Sequence, residues 1–357
     1  AMVGTGSYLG WGMLGRDADM ALALAWGALA GSFLQLLVQT PRLRPLLSHF
    51  RLSMGRRVAG IREAIHNFLP VVSSRGVVNV SGWIDMILAH ILVAGAPAML
   101  GYAQTLYMLP IGIFGMAIAA SELPELSRKR GEVETVLGPR VRGALERLAF
   151  LLIPSALAYW ALGDLFVSAL FERGEFGPDA SRATYVILAA YSLGLPASAS
   201  SRALSSAYYA LRDTKTPAVI ATVRVFLSIC VGASLMFPMD RLAVGTLHLG
   251  AAGLASGSAA GAWFEYLLLR RRLTRHLGPH GPGVGRVSLY FLSGLVAAGM
   301  GLLTKGLVGS STTPGLLSSF LGETTFRLNP LSALGTTGVF GLSLSLIHIS
   351  EPTRPTT

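Results

Sequence analysis

Five charged side chains sit inside otherwise apolar stretches of this sequence: Arg75, Asp85, Arg202, Arg224 and Glu265. In hydrocarbon each costs about 3 kcal/mol on insertion scales, so such residues mark a wet cavity, a buried pair or a substrate path. Arginine is the type suited to phosphate, because its planar guanidinium donates paired hydrogen bonds to phosphate oxygens. Arg75 stands roughly 16 Å into its helix at the α-helical rise, and Arg202 and Arg224 lie within about three turns of the segment 212–217. The three arginines therefore have the means to meet in one half of a bundle, where a diphosphate-linked lipid would suit them. Arg224 has a second reading, with its stem reaching back to the membrane surface. Glu265 lies one turn from the inner end of its span, where a pair with Arg270, Arg271 or Arg272 is expected. Arg75 and Asp85 are too far apart to bridge along one helix, so each needs a partner on another element.

Other chemistries are excluded. His276 and His280 are separated by Gly278 and Pro279, which break the helix that would align them on a metal. The run Gly281–Gly285 follows no strand and opens no dinucleotide fold. There is no nucleophile elbow and no phosphate-binding loop of the nucleotidase type. The acidic residues Asp164, Glu172, Glu175, Asp179 and Glu265 are scattered over both membrane faces, without the clustering that a metal-dependent enzyme on lipid phosphates needs. No cofactor site and no metal site are predicted.

Composition fixes the medium in which these residues act. The chain is 52% hydrophobic and only 13% charged, with a mean hydropathy of +0.56; soluble domains carry about a quarter charged residues. The net charge of +11 does not mark a nucleic-acid binder, because the cations fall in loops between apolar spans. The single cysteine, Cys230, lies inside a span and reads as a buried structural thiol.

The spans follow in order. Residues 19–40 form the first complete one, with Gln35 and Gln39 one turn apart at its inner end. Residues 41–63, rich in arginine, read as a cytoplasmic amphipathic connector. Residues 64–94 form a long, polar span, and 94–98 a tight outer turn. Residues 98–130 return inward, with Pro110 as a kink and Gly112 and Gly115 as points of close helix approach. Residues 131–147 form a basic inner segment, 148–171 cross outward, with Pro154 as a kink, and 172–181 make an outer loop. Residues 182–211 cross back, bent at Gly194 and Pro196. After the inner turn 212–217, residues 218–237 cross outward, 238–243 turn, and 244–269 return. On that last span Gly253, Gly257 and Gly261 recur every four residues on one face, the spacing for close packing. Residues 287–303 cross outward, 304–329 form an outer loop, and 330–343 begin a last span. Inner loops hold nearly all the Lys and Arg, an alternation that sets orientation on its own.

Three stretches carry a family resemblance. Residues 102–128, YAQTLYMLPIGIFGMAIAASELPELSR, resemble the eighth helix of the MurJ/MviN family of lipid II flippases. Residues 23–44, ALAWGALAGSFLQLLVQTPRLR, resemble its sixth helix. LFERGEFG at 170–177, followed by YYALRDTKTP at 208–217, resembles the run from the ninth to the eleventh. The resemblance implies an all-α polytopic transmembrane bundle of the multidrug/oligosaccharidyl-lipid/polysaccharide exporter superfamily, in the inner membrane of a bacterium. The implied activity is translocation of undecaprenyl-diphosphate-linked peptidoglycan precursor by alternating access, without making or breaking a bond. It divides the chain into the end of a first lobe (1–40), the connector (41–63), a second lobe (64–272) and two extra helices (273–343). Residues 344–357 include LSLIHISEPTR, which matches a translated sequencing-library adapter and reads as an artefact; the N-terminus begins inside an apolar run, as a fragment would.

The resemblance also implies a cavity lined by Arg75, Asp85, Arg202, Arg224, Gln104 and Thr105, with membrane lipid and the lipid-linked precursor as partners and a monovalent cation or the membrane potential as coupling. Thr105 stands where many members have an arginine. Asp85 is the implied sodium ligand, whereas Ser228 and Gly232 stand where amide or acid side chains are expected. Pro110, Gly112, Gly115, Pro196, Gly253, Gly257 and Gly261 are kink or packing positions. The rival readings are a sister flippase for another polyprenyl-linked glycan and, from a different class, a membrane enzyme or scaffold acting on polyprenyl phosphates.

Overall fold

The computed structural model describes residues 16–47, 82–92, 95–115, 133–174, 176–241, 248–279 and 281–308. Two compact units are present, residues 1–62 and residues 63–357. In the first, α1 (Arg16–Leu47) is one continuous helix that runs through Pro41. The predicted end at Thr40 is therefore too early. Ser32 and Thr40 return their hydroxyls to the carbonyls of Ala28 and Leu36, at 2.8 and 2.7 Å, as a polar side chain in lipid must.

The second unit is built from α2 (residues 82–90), α3 (Ala96–Pro110) with a π-helical extension Ile111–Gly115, α4 (Val133–Phe171), α5 (Pro178–Ser192), α6 (Leu195–Ala210), α7 (Lys215–Asp240), α8 (Gly250–Leu277) and α9 (Val284–Val308). Among the described residues there is no strand. Among the described residues, four helical stretches are long and apolar enough to cross a membrane: Leu22–Pro41, Leu137–Phe171, Lys215–Asp240 and Val284–Leu307.

Several predicted boundaries change. The inner segment 131–147 is not separate from the span after it: from Val133 onward both belong to the 39-residue α4, whose Pro154 sits within continuous helix. The helix α7 runs through Pro238 to Asp240, α8 carries Arg270, Arg271, Arg272 and Arg275 in its last turns, and α9 continues past Thr304 to Val308. The predicted bend at Gly194 is a full break between α5 and α6. A Cβ at Gly194 would lie 2.7 Å from the Cα of Ala259, so α8 presses against the chain where the helix stops. The carbonyl of Leu193, left out of the ladder, accepts the indole N–H of Trp263 at 2.8 Å. Gly95, at φ 89°, makes the outer turn into α3.

Pro110 produces the second interruption. It has no N–H to offer the carbonyl of Leu106. That carbonyl accepts the Tyr159 hydroxyl from α4 at 2.8 Å, and the chain continues as the π-helical turn. Gly112 does not receive a neighbouring helix, as its spacing predicts; a Cβ there meets nothing within 4 Å.

Two helix pairs form the frame. The helices α4 and α9 run parallel, with Phe150 against Tyr290 (ring centroids 5.4 Å apart) and Leu162 against Gly301. They are tied at one end by Arg286 and Glu146 and at the other by Lys305 and Asp164, at 2.5 Å. The helices α7 and α8 run antiparallel through the predicted glycine stripe. A Cβ on Gly253 would lie 2.9 Å from the Leu235 carbonyl oxygen, and one on Gly257 2.7 Å from that of Ser228. A Cβ on Gly261 would fall on the Ser228 hydroxyl. Cys230 is exposed, not buried, because Ser228 and Gly232 occupy the packed face of α7.

Candidate functional site

The stripe that joins α7 to α8 ends in an ion pair. Arg224 sits one turn before Ser228, and Glu265 one turn after Gly261, so the same antiparallel register brings their side chains together. The Arg224 Nη1 donates to Glu265 Oε2 at 2.6 Å, with side-chain exposures of 23% and 8%. The predicted pairing of Glu265 with the Arg270 cluster does not occur; Arg270 turns back to the Tyr266 hydroxyl at 3.3 Å. Nor does Arg224 reach for the membrane surface: it points across to α8.

The two interrupted helices meet beside this pair. Tyr107, one turn before the end of α3, lies against Tyr191, one turn before the break after α5, with ring centroids 5.3 Å apart. Tyr107 adjoins Ser198 of α6, and Arg224, Arg202 and Glu265 are near enough to act on it electrostatically. Asp85, half-buried on α2, adjoins Ser258 of α8 and lies close enough to Tyr191 to act on it electrostatically. Polar groups from α2, α3, α5, α6, α7 and α8 thus adjoin one another where apolar packing would be expected.

One side of α3 stays open. Gly101, Gln104, Thr105, Met108, Leu109, Gly112 and Ile113 line an open groove of about 580 Å³. Thr105 satisfies its own hydroxyl on the Gly101 carbonyl at 2.9 Å, and Gln104 is exposed. Arg202 reaches the groove edge from α6: its Nη2 lies 3.9 Å from Met108 Sδ. Ser198 and Arg202 are one helical turn apart, so they form two adjacent rungs to Tyr107 and Met108.

Of the predicted cavity residues, then, the structure brings Gln104, Thr105 and Arg202 to one groove. Arg224 lies behind it and is paired, and Asp85 is held on α8. Arg75 lies outside the described residues. Sequence reasoning missed Tyr107, Ser198, Ser258 and Tyr159. The serine-rich run Ser198, Ser200, Ser201, Ser205, Ser206 in the middle of a span was a visible signal for the first of the serines. Among the described residues, the positions named for the implied sodium ion contribute few oxygen ligands. Hard cations need a shell of oxygen ligands, yet Ser228 and Gly232 are committed to packing against Gly257 and Gly261, and Asp85 adjoins Ser258. Among the described residues no three His, Cys, Asp or Glu side chains converge.

Comparison with known proteins agrees with this architecture. The family model described as lipid II flippase MurJ matches residues 8–323. A probable lipid II flippase MurJ of Rhizobium meliloti is 30% identical over 75% of this chain and 45% of its own length. One from Vibrio cholerae is 28% identical over 91% of this chain and 60% of its own length, and the lipid II flippase MurJ of Burkholderia cenocepacia is 31% identical over 78% and 53%. The chain spans about half the length of the curated relatives it matches. A solved structure, lipid II flippase MurJ in an inward closed conformation, superposes with a TM-score of 0.67 at 18% identity, covering 97% of this chain and 64% of that one. With a family model that matches most of its residues and a bundle of the same fold, the chain belongs to the MurJ lipid II flippase family.

Proposed function

We propose that this protein takes part in moving a polyprenyl-diphosphate-linked peptidoglycan precursor, lipid II, from the inner to the outer leaflet of a bacterial inner membrane; the relatives it resembles are named lipid II flippases. The observation that carries this reading is the placement of Arg202 at the edge of an open groove whose other polar lining is Gln104 and Thr105. The guanidinium supplies a phosphate contact, and the amide and hydroxyl supply neutral partners for a sugar-peptide headgroup. The groove runs along α3, whose apolar residues Met108, Leu109 and Ile113 leave the polyprenyl chain in contact with lipid-like surface.

No bond is made or broken in such a step. The work is to carry a charged headgroup past hydrocarbon, and a wet cationic groove lowers that cost by replacing hydration with fixed donors. Alternating access follows when this lobe and a second one rock about the shared groove. Asp85 and Arg224 belong to the same interior by this reading, each near enough to the Tyr107–Tyr191 pair to act on it electrostatically.

The test is rescue of cells depleted of their own flippase by the full-length gene. Arg202→Ala is expected to insert at the normal level, since Arg202 is exposed, yet to reduce rescue; Arg202→Lys is expected to recover part of it, as a point charge without the fork. Normal growth with Arg202→Ala removes Arg202 from the headgroup site, and with it the groove as assigned.

A further inference from the structure

Arg271 and Arg275 stand one turn apart near the end of α8 and face away from the bundle. Leu269 and Leu273, two residues to either side of Arg271, are 0% exposed and belong to one core cluster with Leu137 and Val141 of α4. A step of two residues turns a helix by about 200°, so Arg271 and Arg275 occupy the opposite face, and both are exposed. Arg270 is drawn another way, onto the Tyr266 hydroxyl at 3.3 Å. Glu265, the acid of α8, is buried against Arg224, so no carboxylate of this helix answers the two arginines. Back along their face, Leu267, Phe264 and Ala260 follow at steps of four, three and four residues. Leu267 is 55% exposed, Ala260 is exposed and Phe264 half-buried. An open apolar strip therefore ends in two cations. The helix dipole favours a cation in the last turn, where Arg275 is, but it fades within that turn and does not account for Arg271. Membrane orientation asks for cations at this end of the helix; it does not ask for two of them in line with an exposed apolar strip.

We propose that this face of α8 holds an anionic phospholipid of the inner leaflet, with an acyl chain along Ala260, Phe264 and Leu267 and the phosphate on Arg271 and Arg275. The assignment is independent of the groove on α3. Length favours a lipid over a free anion. From Ala260 to Arg271 the helix rises about 16 Å, close to the hydrocarbon depth of one leaflet. Side chains one turn apart are spaced by about 5–6 Å at their Cβ atoms, which lets two guanidinium groups reach one phosphate and donate charge-assisted hydrogen bonds to it. Charge selects the headgroup. A zwitterionic lipid offers the same phosphate but brings an ammonium group that the two arginines repel, whereas an anionic lipid brings none. Each basic side chain at a membrane surface strengthens attachment to anionic lipid by about fivefold.

Trp263 reports on this face. It is 41% exposed and lies eight residues before Arg271, roughly 12 Å nearer the bilayer centre, level with the middle of an acyl chain whose phosphate is on Arg271. The experiment uses the full chain with Trp11, Trp26, Trp83 and Trp160 replaced by Phe, reconstituted in phosphatidylcholine with rising fractions of phosphatidylglycerol brominated at mid-chain, or of phosphatidylcholine brominated in the same way. Quenching of Trp263 is expected to favour phosphatidylglycerol by about fivefold or more. Arg271→Ser/Arg275→Ser should bring the preference within about twofold of none, and Arg271→Lys/Arg275→Lys should keep most of it. Arg182→Ser/Arg241→Ser removes the same charge elsewhere and should leave the preference unchanged. On the chain with all its tryptophans, native mass spectrometry should show one phosphatidylglycerol fewer retained by the serine variant at 271 and 275, and none fewer by the variant at 182 and 241. Equal quenching by the two lipids, a preference that survives the serine substitutions at 271 and 275, or an equal loss in the variant at 182 and 241 overturns the proposal. So does a preference erased by sodium phosphate at an ionic strength where sodium chloride leaves it intact, which would mark a site for the free anion.

Discussion

The hydrogen bond from Tyr159 to Leu106 allows a sharp test of how a proline is tolerated inside this bundle. Pro110 denies the Leu106 carbonyl its ladder partner, and Tyr159 supplies a replacement at 2.8 Å. Leu106 is 1% exposed and Tyr159 7%, so no water takes over when the hydroxyl is removed. Leaving a buried carbonyl unmatched costs about 1–3 kcal/mol in soluble proteins, whereas side-chain hydrogen bonds within membranes average about 0.6 and reach about 1.7 kcal/mol. Tyr159→Phe is therefore expected to destabilise the purified chain by about 1–2 kcal/mol, the upper part of the membrane range because the acceptor has no alternative donor. Pro110→Ala restores an N–H one turn along, at the position that serves the Leu106 carbonyl in a regular helix. In that background Tyr159→Phe should cost less than about 0.5 kcal/mol, which leaves a coupling near 1 kcal/mol between two residues on different helices. The assay is reversible unfolding in mixed micelles, followed by tryptophan fluorescence, for the parent, both single variants and the double. Equal losses from Tyr159→Phe in the two backgrounds would show that the hydroxyl does not answer for the proline.

Three further outcomes follow from the frame. Gly257→Ala places a methyl group 2.7 Å from the Ser228 carbonyl oxygen and should destabilise by about 1–3 kcal/mol, whereas Gly299→Ala, with nothing within 4 Å, should be neutral; thermal melts in detergent separate the two. Asp164→Asn leaves Lys305 half-buried without its counter-ion and should cost about 2–3 kcal/mol in the same assay, with most of it recovered by the neutral pair Asp164→Leu/Lys305→Met. In a Cys230→Ser background, Met239→Cys should react with an impermeant thiol reagent in intact cells while Arg212→Cys and Arg272→Cys should not; labelling of either inner position refutes the orientation taken from the Lys and Arg distribution.

What the sequence made legible was the part of the fold governed by local rules. The small residues at 253, 257 and 261 predict a close seam because only their spacing and size matter, and the seam is there. Proline at 110 predicts an interruption because its missing N–H is a property of the residue. Boundaries were less legible. Membrane helices continue past the hydrocarbon into water without any change of backbone structure, so composition marks where α4 leaves the apolar layer but not where it starts, at Val133, well upstream of the predicted entry at 148. Ion pairing was the least legible. From its place near the inner end of its span, Glu265 is expected to pair with the arginines further along its own helix; the register of two antiparallel helices assigns it to Arg224 instead, and that register is set by glycines that carry no charge at all.

The second unit divides its labour between continuous and interrupted helices, and the division explains where its polar groups are. The helices α4, α7, α8 and α9 are unbroken, paired through small residues, and closed at two seams by ion pairs. The remaining path, α3 with its π-turn and the broken α5–α6, has its carbonyls freed at Leu106 and Leu193 answered by Tyr159 and Trp263, one donor from each paired frame. Every group that faces the groove or adjoins Tyr107 on this path, namely Gln104, Thr105, Ser198 and Arg202, is carried by an interrupted helix. A helix held by side-chain hydrogen bonds at its break has fewer backbone bonds to surrender when it changes shape than one held by its own ladder. The groove therefore sits on the elements of the lobe that can flex at least cost, and the frame that supplies the two donors is the part built to stay fixed.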